Sequence, residues 1–112
     1  MKPPAEFRVL RLRECASLTE NLDRPELAAA YWRTNVATAP AFDPDKEHFV
    51  VILLNTRKRA LGHNLVALGG LNSVIVEPRE VFRMAIVMPC AALILAHCHP
   101  SGVMPHPVLC RM

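Results

Sequence analysis

The sequence predicts an α/β domain, a mixed sheet packed with helices, with residues 1–112 forming a single unit. Three observations carry that expectation. The run Phe49 to Leu54 is continuously apolar and too short for a helix, so it reads as a strand buried on both faces. Pro78 to Val87 carries helical periodicity between a short extended segment and a proline stop. A second apolar run, Ala91 to Leu95, then ends in Ala96-His97-Cys98-His99-Pro100-Ser101-Gly102.

The composition agrees. A chain of 112 residues, 52% apolar and 5% aromatic, can bury one aliphatic core, and a charged share of 21% excludes a generally disordered chain. The net charge of +3 permits contact with nucleic acid without demanding it. Cys15, Cys90, Cys98 and Cys110 form no C-x-x-C pair, and no apolar leader follows Met1-Lys2-Pro3-Pro4. Reduced thiols in a cytoplasmic protein are therefore expected. The most apolar window, Met84 to Ala96, is divided by Pro89 and far short of the ~20 residues of a membrane span.

Phe7 to Arg13 alternates loosely and suggests a first strand with a basic outer face. Arg8, Arg11 and Arg13 on it could touch phosphate, although a solvated sheet edge is the simpler reading. Pro25 to Arg33 reads as a helix with Pro25 in its first turn and Leu27, Ala30 and Tyr31 on one side. The Ala39-Pro40 break ends it, and Asp43-Pro44-Asp45 makes a turn. Glu47 to Leu54 and Ala60 to Leu68, joined by Asn55-Thr56-Arg57-Lys58, read as an antiparallel hairpin closed by Gly69-Gly70. Leu71 to Val76 follows as a short extended segment. In the helix from Pro78, Val81, Phe82, Ala85 and Ile86 form the expected buried stripe. The order is β-α-β-β-α-β.

Chemistry concentrates where the last strand emerges. Residues two apart on a strand share a face, so His97 and His99 can aim both imidazoles at one zinc ion. The bland alternative is one histidine at the core edge and one in solvent. A hydrolytic site also needs a third ligand and a carboxylate to take a proton from water. Glu47, at the head of the most buried strand, is the candidate base. Its simpler reading is a solvated strand-start residue.

Four segments, taken together and in this order, resemble the RadC family of the JAMM (MPN-type) metalloprotease-like superfamily. They are Phe49 to Arg57, Gly62-His63-Asn64-Leu65-Val66, Pro78-Arg79-Glu80-Val81-Phe82-Arg83, and His97-Cys98-His99-Pro100-Ser101-Gly102. The resemblance implies a cytidine-deaminase-like α/β fold, the JAB/MPN fold. It implies a Zn2+ ion held by His97, His99 and an Asp that follows, with Glu47 as general base. Peptide or isopeptide bonds are the substrates it implies. The family also carries a DNA-repair label and an association with mobile elements, so DNA is a second implied partner; no membrane is implied.

The sequence departs from that family after Gly102. The superfamily pattern H-x-H-x7-S-x2-D puts its Ser slot on Pro107 and its Asp slot on Cys110. Cys98 stands where Asn is usual, and Glu77 where His is usual. Three readings compete for the tail: Cys110 as a thiolate third ligand, with His106 as a second candidate; a short relative that has lost its metal; and a frameshift after Gly102. The last two leave a domain incomplete at its C-terminus, and loss of that part would uncover a sheet face and open the edge of the histidine strand.

Overall fold

A computed structural model describes residues 2–16, 21–69 and 76–98 in full, and the backbone of 108–111. Helix α1 (Pro25–Tyr31) leads through a π-helical turn, Trp32–Val36, to strands β1 (Glu47–Leu54) and β2 (Ala60–Gly69). Helix α2 (Pro78–Val87), β3 (Ala92–Cys98) and β4 (Val108–Arg111) complete the order. The strands form one sheet in the order β2-β1-β3-β4. All three described ladders are antiparallel.

The hairpin is built as its turn residues dictate. The Asn55 Oδ1 accepts from the Arg57 and Arg59 backbone N–H groups at 2.9 and 3.0 Å, and the Asn55 N–H bonds the Arg59 carbonyl at 2.9 Å. Lys58 takes the left-handed conformation, φ 60°, that closes the loop. Two irregularities break the β1–β2 register, at Phe49/Val50 and at Leu53/Leu54.

Each face of the sheet carries its own core. On one face α1 and the π-helical turn bring Ala28, Tyr31, Trp32 and Val36 against Val50, Ile52, Leu54, Ile94 and Ala96. On the other, Val81 and Ala85 of α2 pack on Val51, Leu53 and Leu93. Because β1 is covered on both faces and flanked by strands on both edges, all of Val50 to Leu54 must be apolar. That is the continuous run the sequence displays.

Four expectations are corrected. The strand expected over Phe7 to Arg13 does not form; Phe7 and Leu12 are 91% and 95% exposed. Alternation makes a strand only when a ladder partner exists, and no backbone group of residues 2–15 has one among the described residues. Helix α1 ends at Tyr31, and the chain continues as a π-helical turn in which the Ala37 N–H reaches the Trp32 carbonyl at 2.9 Å. The buried stripe of α2 is Val81 and Ala85, with Met84 partly buried, whereas Phe82 and Ile86 face outward, Ile86 76% exposed. The edge of the histidine strand is covered along its first half, where β4 from the tail pairs opposite Ala92 to Leu95. The segment expected over Leu71 to Val76 lies outside the described residues except for Val76.

Candidate metal centre

The site is built where β1 begins and β3 ends. In the β1–β3 ladder Phe49 lies opposite His97, and His48 opposite Cys98. Side chains alternate along a strand, so Glu47, Phe49 and His97 share the α2 face of the sheet. Glu47 and His97 are then a diagonal cross-strand pair, with their Cβ atoms about 7 Å apart. Both are partly buried. A carboxylate and an imidazole at that spacing can hold a water molecule or an ion between them. The Phe49 ring stacks on the His97 ring, centroids 6.3 Å apart and planes inclined by 11°, which restrains the imidazole plane.

The second expected ligand, His99, and the alternative His106 lie outside the described residues. Cys110 is not brought to the site. It pairs with Leu93, four residues along β3 from His97, which separates the two positions by roughly 13 Å. Two ligands of one zinc ion lie far closer than that. The reason is the register of the tail: β4 lies along the start of β3, opposite Ala92 to Leu95, and not beside its histidine end. Among the described residues no group of three His, Cys, Asp or Glu side chains converges to hold a metal. The residue types on this face fit a hydrolytic zinc site in kind, an imidazole nitrogen able to bind the ion and a carboxylate able to serve as base. Glu77, where the family has His, is engaged at the surface by the Arg79 Nε at 2.7 Å.

The opposite face of the same strand ends holds a pair that sequence reasoning missed. His48 is only 2% exposed. Its Nδ1 lies 2.9 Å from the Lys46 carbonyl oxygen and its Nε2 lies 3.4 Å from the Asp43 backbone N. A carbonyl can only accept and a backbone N–H can only donate, so the tautomer that satisfies both contacts carries its proton on Nδ1. The Phe42 ring covers it at 4.4 Å. The Cys98 Sγ sits 3.9 Å from that Nδ1, which carries its proton already. Burial pushes the Cys98 thiol up, with a smaller upward push from the Glu47 charge. His48 and Cys98 are therefore no Cys–His nucleophile pair; they fill and fix the back of the strand ends that present Glu47 and His97. The signal was present in the sequence, since strand alternation puts Cys98 on the face opposite to His97.

Comparison with known proteins shows the family of the chain. The family model described as RadC-like JAB domain matches residues 22–107. A UPF0758 protein of Rubrobacter xylanophilus is 38% identical over 93 residues, covering 83% of this chain and 41% of the relative. UPF0758 proteins of Desulforamulus reducens and Desulforudis audaxviator are 48% identical over 60 residues and 53% over 58. Those two alignments cover 26% and 25% of the relatives, so the chain spans well under half the length of the curated proteins it matches. With a match across most of its length and the histidine strand in place, the chain belongs to the RadC-like JAB domain family.

Proposed function

We propose that the site is that of a zinc-dependent hydrolase of the JAMM type, acting on peptide or isopeptide bonds. His97 and His99 would hold the ion. Zinc would supply Lewis acidity, acidifying water and polarising a carbonyl. Glu47 takes the proton of the attacking water at a carboxylate oxygen and returns it to the leaving amine. Phe49 holds the His97 ring, and the His48–Cys98 pair fixes the backbone of both strands behind it. The observation that carries this reading is Glu47 and His97 on one sheet face, one diagonal step apart.

At the slot of the family's Asp third ligand this sequence has Cys110. The sequence contains no Asp or Glu after Glu80, and Cys110 lies beside Leu93. Two imidazoles hold zinc less tightly and leave its orientation looser than three ligands do. Weak zinc binding and slow hydrolysis are the expected behaviour of this chain.

Zinc affinity measured by competition with a chromophoric chelator tests the reading. The His97→Ala substitution removes a direct ligand and should weaken binding by more than the ~10- to 100-fold that loss of an outer-shell partner costs. The Glu47→Gln substitution should leave zinc affinity nearly unchanged and abolish cleavage of a fluorogenic peptide by the zinc-loaded chain. Equal zinc affinity in wild type and His97→Ala removes the site from consideration.

One observation favours a second reading, contact with DNA. Arg57, Lys58 and Arg59 in the hairpin turn, with Arg8 and Arg11 in the N-terminal segment, take part in no ion pair among the described residues. Such cations are available to phosphates. The measurement is a salt-dependent gel shift with duplex DNA; binding unchanged between 50 and about 200 mM salt argues against phosphate contacts.

A further inference from the structure

Two unsatisfied features of this chain complement one another. The first is the segment 2–16. It is neither helix nor strand, its φ angles are all negative, and its apolar side chains stand in solvent: Phe7 91%, Leu12 95%, Leu10 69% and Val9 52% exposed. It is fastened only at its base. The Asn35 side chain, buried to 1%, accepts from the Ala16 N–H at 2.9 Å and donates to the Ala16 carbonyl at 3.2 Å, and the Arg13 guanidinium donates to the Asn35 carbonyl. The radius of gyration is 14.4 Å, against about 13 Å for a compact chain of this length.

The second feature is the outer edge of β2. This strand ends the sheet, and ten residues, Ala60 to Gly69, present an edge that no described strand pairs with. Natural edges are blunted by charge, by proline or by bulges that twist the edge away. Ala-Leu-Gly-His-Asn-Leu-Val-Ala-Leu-Gly carries no charge and no proline; its two register shifts bend the strand without covering it, and Leu61, Leu65 and Leu68 are 44–47% exposed along it. The ladder register puts Leu65 and Leu68 on the α1 face and Ala67 on the α2 face, with Val66 packed on the α2-side core.

We propose that residues 7–12 of one copy add as an outer strand to the β2 edge of a second copy, and reciprocally, giving a twofold dimer. The arm suits the edge on both sides. Phe7 and Val9 point to one face and Leu10 and Leu12 to the other, so each face receives an apolar pair, while Arg8 and Arg11 remain at the rim. Pairing satisfies the backbone donors and acceptors that both segments leave free. Covering four such side chains and the ladder beneath them removes roughly 500 Å² per arm; counted on both partners and twice by symmetry, that is on the order of 2,000 Å², within the range of stable dimers. The arm's own edge is not the occupant. Arg13 and Ala16 are pinned on Asn35, at the helix-covered face, and residues 7–12 leave that anchor exposed. Residues 2–16 precede the segment matched by the family model.

Sedimentation equilibrium of the full chain, joined with amide hydrogen exchange, tests the proposal. A concentration-dependent dimer is expected, with slow exchange in 7–12 and along β2. In the Leu10→Asp/Leu12→Asp double variant both residues are solvent-exposed in the single chain, so its fold is retained. The dimer should weaken by about 100-fold or more, and β2 exchange should accelerate while β1 stays protected. Leu65→Lys should do the same from the other side. A monomer at all concentrations overturns the proposal, and so does a monomer with protected arm amides, which would mean the arm folds onto its own edge. A dimer indifferent to the arm variant, or open-ended assemblies in place of a closed pair, overturns it too.

Discussion

Tyr31 and His63 join α1 to β2 through a hydrogen bond of 2.8 Å between the phenol oxygen and Nδ1, with the two rings edge to face. His63 lies opposite Ile52, five residues along β1 from Glu47, so this bond is remote from the candidate metal centre. Burial, and secondarily the Arg13 charge, lowers the His63 pKa below 6.5; burial also raises the Tyr31 phenol. The sign of the consequence follows from linkage. Above about pH 6.5 the imidazole is neutral in both folded and unfolded chains and costs nothing. As pH falls below that value the unfolded chain takes up a proton that the folded chain refuses, so stability declines until the folded pKa is reached. Chemical denaturation midpoints at pH 7.5 and pH 5.5 should therefore differ more in wild type than in His63→Gln, which keeps an acceptor near Tyr31. An identical pH dependence in both proteins would show that His63 is not the titrating group.

At the scale of elements, the parts that were legible share one property: a local sequence signal agrees with the tertiary environment. Phe49 to Leu54 is apolar without interruption because both faces of β1 are covered, and Pro78 with Glu80 marks the start of α2. The hairpin turn carries its own chemistry in Asn55. The parts that were not legible depend on partners distant in sequence. Phe7 to Arg13 alternates like a strand yet has nothing to pair with inside one chain. The π-helical turn at Trp32–Val36 has no local signature; it accompanies Trp32, Asn35 and Val36 turning inward, where Asn35 grips Ala16. In α2, Phe82 and Ile86 fit a helical stripe on paper, but the packed line runs through Val81 and Ala85. The candidate site divides the same way. Glu47 and His97 could be named from motif and strand position, whereas their shared face required the β1–β3 register. The pairing of Cys110 with Leu93 is a long-range register that no sequence periodicity encodes.

For the molecule as a whole, the burial pattern separates stability from the site. The residues buried most completely, Val51, Ile52, Leu54 and Leu93 at 0% exposure, occupy the middle and far end of the sheet. Glu47 and His97 occupy the other end and belong to neither buried cluster. The two sheet faces are where apolar surface is removed from water; among the described residues no helix is long and apolar enough to cross a membrane. Small zinc domains that lack such a core unfold when the metal is withdrawn, because metal binding is their folding energy. This chain has a core on each side of its sheet and should behave differently. Excess EDTA should shift the thermal midpoint by no more than a few degrees, and added zinc should raise it only as ligand linkage at a weak site allows. His97→Ala should remove that zinc-dependent rise while leaving the EDTA midpoint in place, since the lost imidazole lies outside both clusters. Calorimetry of the two proteins with and without zinc makes the measurement; a chain that unfolds on chelation would mean that the metal, and not the two-sided core, holds the sheet together.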